Sequence, residues 1–233
     1  MNNKILFVNN EERIYKLLKM YICAEGYKFD TADNIKIALN MISSDNYLLV
    51  ILNLGEENYL LCRKIREQSF VPLVMLHDHR DELSIINAFE AGVDDYIYKP
   101  FSPRELMYRI RAIMRRASKN YDSTKDKPIP DKLFFHGLVL DRSAYQVGFE
   151  DRRVQLTQKE YELLYNMLQK PGKVFSRQDL LRDIWGYAEC DSRIIDAHIK
   201  RLREKLRVLS PQITAMIITI WRAGYKFEYT TIN

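Results

Sequence analysis

Two groups of polar residues in this chain stand where chemistry can be done. The first lies at the ends of short apolar runs: Val8-Asn9-Asn10-Glu11, Leu52-Asn53-Leu54, His77-Asp78-His79-Arg80 and Tyr98-Lys99-Pro100-Phe101. If those runs are parallel strands, their ends converge on one polar pocket, because open parallel sheets bind ligands beyond the carboxyl ends of their strands. The second group is the stretch 191–207, with six Lys and Arg against three Asp and Glu. There Ile195, Ile199, Leu202 and Leu206 recur at i, i+4, i+7 and i+11, the buried stripe of a helix. Arg193, Ala197, Lys200, Arg201 and Glu204 then face outward, and a small alanine among basic side chains lets a helix approach the major groove of DNA closely. Lys200 and Arg201 are the expected groove contacts, and Arg193, Arg203 and Lys205 are expected on phosphates. His77 and His79 could be read as a metal pair, but without a third ligand they read better as surface or pocket-filling side chains; no metal and no cofactor is expected.

The run ends belong to a repeating unit. Ile5–Val8 precedes a helical pattern over 11–24 in which Ile14, Leu17, Leu18, Tyr21 and Ile22 share a face. Runs at 27–31, 48–52, 72–76 and 96–98 likewise precede helical patterns at 35–42, 59–65, 81–91 and 102–116. Runs this short and this apolar suit strands buried on both faces, so residues 1–116 predict a doubly wound α/β domain with a five-stranded parallel sheet. Residues 117–131 are polar, contain Pro128 and Pro130 and show no apolar period, which reads as a linker. In 132–233, β-prone stretches at 133–135, 138–140, 145–149 and 153–156 precede helices at 158–168 and 177–185. Asp191-Ser192 can cap a third helix running to about 207, and 213–220 with 225–229 flank Trp221-Arg222-Ala223-Gly224 as a hairpin, giving an α+β domain.

Composition narrows the class. With 233 residues, 47% hydrophobic and 29% charged, the chain can bury two domain cores, which excludes disorder over most of its length. Its apolar runs fall short of the ~20 residues that span a bilayer, and Met1-Asn2-Asn3-Lys4 opens no secretory segment, so no membrane partner is expected. Cys23, Cys62 and Cys190 are odd in number and far apart, which indicates neither a disulfide framework nor a zinc knuckle and fits the reducing cytoplasm. Residues 1–116 balance 16 Lys and Arg with 16 Asp and Glu, whereas 117–233 carry 20 against 15. The whole net charge of +5 therefore sits in the second half, a prior for a nucleic-acid partner.

Ordered matches run along nearly the whole chain: Lys4-Ile-Leu-Phe-Val8; Ala91-Gly-Val-Asp-Asp-Tyr-Ile-Tyr-Lys-Pro-Phe-Ser-Pro-Arg-Glu-Leu106; Val174-Phe175-Ser176-Arg177; Ile184-Trp185-Gly186-Tyr187; Asp191-Ser192-Arg193; Arg201-Leu202-Arg203; and Gly224-Tyr225-Lys226-Phe227. In these the chain resembles a response regulator of the OmpR/PhoB type, a phospho-acceptor receiver domain joined to a winged-helix DNA-binding domain. The resemblance implies an acidic pair after the first strand that binds a divalent cation and an aspartate after the third that takes the phosphoryl group. Here those positions are Asn9, Asn10 and Asn53; the hydroxyl position is His77, the loop Gly55-Glu56-Glu57-Asn58 is shortened, and only Tyr96, Lys99 and Pro100 match. A carboxamide is neither an anionic nucleophile nor a charged metal ligand, so a degenerate pocket without phosphotransfer or other catalysis is expected. Lys99 is expected to hydrogen-bond Asn53 or a backbone carbonyl, or else to hold the pocket in an active-like geometry.

The resemblance further implies a homodimer through the fourth helix, fifth strand and fifth helix, with ion pairs Asp95–Arg109 and Glu90–Arg111 around a patch of Ile86, Phe89 and Met107. Ile85, opposite Glu105, replaces a third ion pair and either adds apolar interface or belongs to the domain's own core. Arg222 stands where the family commonly has glycine and adds a phosphate or minor-groove contact, while the loop at 185–190 corresponds to one that meets RNA polymerase. Cys190, at a helix N-terminus near Arg193, is a candidate for redox control. The expected function is a phosphorylation-independent regulator binding two half-sites of double-stranded DNA as a dimer. Two alternatives stand beside it: control by a ligand, partner or redox change, and a phospho-switch using another acceptor.

Overall fold

Apolar runs without a polar face need cover on both sides, and the first half of the chain supplies it with helices. In the computed structural model, which describes residues 3–9, 11–78, 82–117, 132–186 and 192–229, the chain divides into two compact units, Met1–Tyr121 and Asp122–Asn233. The first unit alternates β1 (Lys4–Asn9), α1 (Glu12–Ala24), β2 (Lys28–Ala32), α2 (Ile35–Ser44), β3 (Leu49–Asn53), α3 (Glu57–Gln68), β4 (Leu73–His77), α4 (Glu82–Ala91), β5 (Asp95–Tyr98) and α5 (Pro103–Ala117). Its strands form one parallel sheet in the order β2-β1-β3-β4-β5, the doubly wound arrangement expected from the five repeats. Every residue of β3 and β4 is buried, as their unbroken apolar sequences require. One face packs Ile5, Phe7, Ile51, Val74 and Leu76 against Leu18 and Ile22 of α1 and Leu106, Ile110 and Ile113 of α5. Each such side chain contributes about 1.5–3 kcal/mol on burial, which sets the sheet as the rigid frame for everything at its carboxyl edge.

The second unit begins with an antiparallel four-stranded meander of β6 (Lys132–Phe135), β7 (Leu138–Asp141), β8 (Gln146–Phe149) and β9 (Arg152–Gln155). It continues through α6 (Gln158–Leu168), α7 (Arg177–Trp185), α8 (Arg193–Leu209) and α9 (Pro211–Met216) to the hairpin of β10 (Ile217–Ile220) and β11 (Gly224–Phe227), completing a winged helix. Caps place the helix starts: Thr157 and Glu160 form a capping box at α6, and the Ser176 hydroxyl accepts the Asp179 N–H at 3.0 Å for α7. Two expectations are corrected here. Residues 211–216 are helical rather than part of the hairpin, because Ser210 caps them and Pro211 occupies the first turn, where its missing N–H costs nothing. Ser192 precedes α8 without a side-chain cap bond. Most of the stretch read as a linker, 118–131, lies outside the described residues.

The base of the wing is tight. Tyr225 bridges to Phe175, and Gly224 adopts φ +140° with its backbone against that segment; a Cβ there would stand 2.0 Å from the Phe175 carbonyl oxygen. Gly224→Ala is therefore expected to cost about 2–3 kcal/mol or more, from backbone strain plus the clash. Thermal denaturation of the full chain reads this as a lowered melting temperature; an unchanged midpoint would show that the Phe175 segment yields freely.

Candidate functional site

Parallel pairing of β1 and β3 sets Asn9 beside Asn53 at the carboxyl edge of the sheet. Asn53 is 1% exposed. Its Nδ2 donates to Asn9 Oδ1 at 2.6 Å and to Glu11 Oε1 at 3.2 Å, while Asn9 Nδ2 donates to the Glu11 carbonyl at 2.8 Å. Lys99 reaches in from the end of β5, with Nζ 2.5 Å from Glu11 Oε1 and 3.4 Å from Asp78 Oδ2. Lys99 thus pairs with two carboxylates rather than with Asn53 or a backbone carbonyl, because an ammonium placed among neutral amides takes the nearest anions. Glu11, named at the first strand end but given no role by the sequence, ties Lys99 and Asn53 together. Asn53 Oδ1 is buried and has no hydrogen-bond partner among the described residues.

The remaining pocket residues form an aromatic wall. His77 is buried, with Nε2 3.1 Å from the Tyr59 hydroxyl and its ring stacked 5.5 Å from that of Tyr96. The Tyr59 hydroxyl also donates to the Ser84 carbonyl at 3.3 Å, so His77 fills space between α3, α4 and β5. Asn10, His79 and Arg80 lie outside the described residues. Among the described residues no cluster of His, Cys, Asp or Glu is arranged to hold a metal ion. Beside the pocket an open cleft of about 470 Å³ is lined by Asn9, Glu12, Tyr15, Thr31 and Asp33.

The face expected to dimerise is largely satisfied from within. Ile85, Phe89 and Met107 are buried in the unit's own packing, and Ile86 is half-buried. Asp95, also buried, lies 3.4 Å from Arg109 of the same chain, and Arg109 also pairs with Glu105 at 2.9 Å. Glu90 is exposed, whereas Arg111 is engaged by Glu25 at the end of α1. Among the described residues, the large apolar side chains exposed on α4 and α5 are instead Leu83 and Tyr108.

On α8, Arg193 and Lys200 are exposed, with Ala197 half-buried between them. Three other basic residues are held elsewhere than expected. Arg201 turns inward, with Nη2 2.6 Å from His198 Nδ1 and Nε 3.7 Å from Glu160 Oε1. Lys205 Nζ donates to Glu160 Oε2 at 2.6 Å. Arg203 donates to the Ile217 carbonyl at 2.6 Å and to Thr219 Oγ1 at 2.9 Å, which fastens the helix to the first wing strand. For Arg201 and Lys205 the cause is Glu160, 1% exposed, which accepts the Thr157 N–H as the third residue of the α6 capping box. Burial pushes its carboxyl upward, but Arg201 and Lys205, with hydrogen bonds from Lys205 and the Thr157 N–H, outweigh that and hold it below the ordinary carboxylate range. The Thr157-x-x-Glu160 spacing was the clue to this buried anion. Arg222 is exposed at the wing tip, its guanidinium 4.0 Å over the Trp221 ring. Tyr187 to Asp191, including Cys190, lie outside the described residues.

A parallel α/β unit with a polar pocket at its strand ends, joined in one chain to a winged helix with basic residues on one helix, defines a receiver-linked DNA-binding protein. Residues 5–111 match the response regulator receiver domain, and residues 151–227 match the family described as transcriptional regulatory protein, C terminal. The chain is 43% identical over 229 residues to the transcriptional regulatory protein ResD of Bacillus subtilis (strain 168), covering 97% of this chain and 95% of that protein. It is 39% identical over 232 residues to SrrA of Staphylococcus aureus (strain NCTC 8325 / PS 47), covering 98% and 96%. Among solved structures, a cysteine-to-serine mutant of RitR is 25% identical with a TM-score of 0.73 over 98% of this chain and 100% of that one. The chain belongs to the response-regulator transcription factors of the OmpR/PhoB type, a family that binds DNA.

The depressed Glu160 carboxyl makes the second unit acid-sensitive. A carboxyl held low in the fold adds stability above its ordinary pKa, and that stability drains away as pH falls through the ordinary range toward the folded value. Glu160→Gln leaves Arg201 and Lys205 without their buried anion, an expected loss of about 3 kcal/mol at neutral pH. Urea titrations at pH 7 and at about pH 4 should show a shallower pH dependence for the variant than for the parent chain. Parallel pH dependences would mean that Glu160 does not carry the effect.

Proposed function

We propose that this chain is a phosphorylation-independent, sequence-specific transcription regulator that acts as a dimer on two half-sites of double-stranded DNA. The observation that carries the reading is the internal bonding of the pocket: Asn53 on Asn9 and Glu11, and Lys99 on Glu11 and Asp78. Phosphoryl transfer needs an anionic oxygen to attack phosphorus, and a divalent cation needs charged oxygen ligands. Asn9 and Asn53 provide neither, and the carboxylates that do reach the pocket, Glu11 and Asp78, are already paired with the Lys99 ammonium. The pocket then works as a structural element rather than as an enzyme-like switch.

DNA is read through α8, with Lys200 in the groove and Arg193 on a phosphate, while Arg201, Arg203 and Lys205 set the pose of the helix rather than contacting DNA. Dimers form through α4 and α5. Leu83 and Tyr108 supply the exposed apolar surface, and Glu90 and Arg111 supply reciprocal polar contacts once Arg111 leaves Glu25. Exposed ion pairs are worth ~0–1 kcal/mol each, so the apolar side chains dominate the association. The segment around 185–190 meets RNA polymerase, in a cytoplasmic setting. The likeness to two proteins named as transcriptional regulatory proteins, over nearly full length, supports the reading.

Intact-mass spectrometry after incubation with acetyl phosphate and Mg²⁺ is expected to show no gain of a phosphoryl group; a stoichiometric gain would contradict the proposal. Lys200→Ala is expected to weaken binding to the chain's preferred duplex about tenfold and to reduce the salt slope of the affinity by about one. An unchanged slope and affinity would remove Lys200 from the interface.

A further inference from the structure

Four consecutive polar residues at the start of α6, Thr157, Gln158, Lys159 and Glu160, are buried, none of them more than 6% exposed. Three have a local reason. Thr157 and Glu160 form the capping box, and Gln158 Nε2 donates to Glu162 Oε1 at 2.9 Å one turn on. Lys159, 2% exposed, instead sends its ammonium to another helix. Its Nζ donates to the Ile184 carbonyl at 2.6 Å and lies 4.8 Å from the centroid of the Trp185 ring, with Glu162 Oε2 at 3.3 Å. Taking an ammonium out of water is costly, and a methionine of similar volume would fill the space without that penalty. What the charge adds is a hold on the end of α7.

That end is where α7 meets α8. Gly186 turns the chain out of α7 at φ +81°, and its N–H donates to the Arg182 carbonyl, so the Ile184 carbonyl takes its proton donor from Lys159. Trp185, 1% exposed, packs its ring 5.0 Å from that of His198 on α8, and His198 Nδ1 lies 2.6 Å from Arg201 Nη2. Arg201 closes the circuit on Glu160, the neighbour of Lys159 in sequence. Because α8 starts at Arg193 without a side-chain cap from Ser192, packing sets the direction of its first turns, with Trp185 against His198 as the contact from α7. Those same turns carry the exposed Arg193 and Lys200.

We propose that Lys159 is a positioning residue for DNA recognition. By holding the Ile184 carbonyl and the Trp185 ring, its buried ammonium sets the angle between α7 and α8, and so the placement of Arg193 and Lys200 on the duplex, without touching DNA itself. This rests on the DNA reading of α8 proposed above.

The test uses the full chain, a short duplex that the chain enriches from a randomised pool, and an unrelated duplex of equal length. Lys159→Met keeps the volume and removes the ammonium. It is expected to weaken binding to the enriched duplex about tenfold while leaving binding to the unrelated duplex and the salt slope unchanged, because every exposed cation that releases counterions is still present. Lys159→Arg returns a cationic donor to the Ile184 carbonyl and is expected to bind within about threefold of the parent chain. Partial unfolding would lower binding to both duplexes by the same factor, and melting curves of each variant give the folded fraction at the assay temperature. Wild-type affinity in Lys159→Met, an equal loss on both duplexes, or an equal loss in Lys159→Arg overturns the proposal and leaves Lys159 a residue of the fold alone. If Lys200→Ala weakens binding while Lys159→Met does not, only this inference fails; if the chain enriches no duplex, the reading of α8 fails with it.

Discussion

The ammonium of Lys99, anchored at the end of β5 and paired with both Glu11 and Asp78, is the charge around which the pocket of the first unit is arranged. It lies among the carboxyl ends of β1, β3, β4 and β5, where Asn9 and Asn53 contribute amides and no charge. Glu11 Oε1 accepts from Lys99 and Asn53 together, so one carboxylate joins the two outer parts of the pocket. On the proposed reading, the state of the unit is then set by its own sequence, and control passes to the amount of protein or to contacts elsewhere.

The second unit obeys the same rule with the sign reversed. A buried anion, Glu160, fixes the start of α6 and draws Arg201 and Lys205 from α8 onto it. That pull orients α8 so that Arg193 and Lys200 remain on the outside, and Arg203 carries the orientation on to the wing. A net positive half-chain is therefore not a uniformly positive surface. Part of its charge serves to balance one carboxylate inside.

Much of this was legible in the residues. Fully apolar runs such as Leu49–Leu52 announced a parallel sheet, and the i, i+4, i+7, i+11 spacing of Ile195, Ile199, Leu202 and Leu206 correctly identified the buried stripe of α8. Convergence of Asn9 and Asn53 at one sheet edge was expected from parallel strands, and the register sets them side by side. Long side chains were the illegible part. Helical periodicity assigns Arg201 to an outward position, but an arginine can bend back over several ångströms to reach a buried acid on another helix. The resemblance placed Phe89 and Met107 in a partner interface and left Ile85 between interface and core, because matching positions alone do not tell a covered helix face from an open one; all three are buried. The short α9 was hidden by β-branched and apolar residues that read equally as strand, with Ser210-Pro211 as the overlooked start signal.

The central claim is that the receiver pocket is fixed without phosphorylation. Light scattering of the purified full-length chain at micromolar concentration, with and without acetyl phosphate and Mg²⁺, tests it most directly. The account predicts the mass of a dimer in both conditions, unchanged by the donor. A monomer that becomes a dimer only with the donor would contradict it, and would require a phosphoryl acceptor other than Asn53.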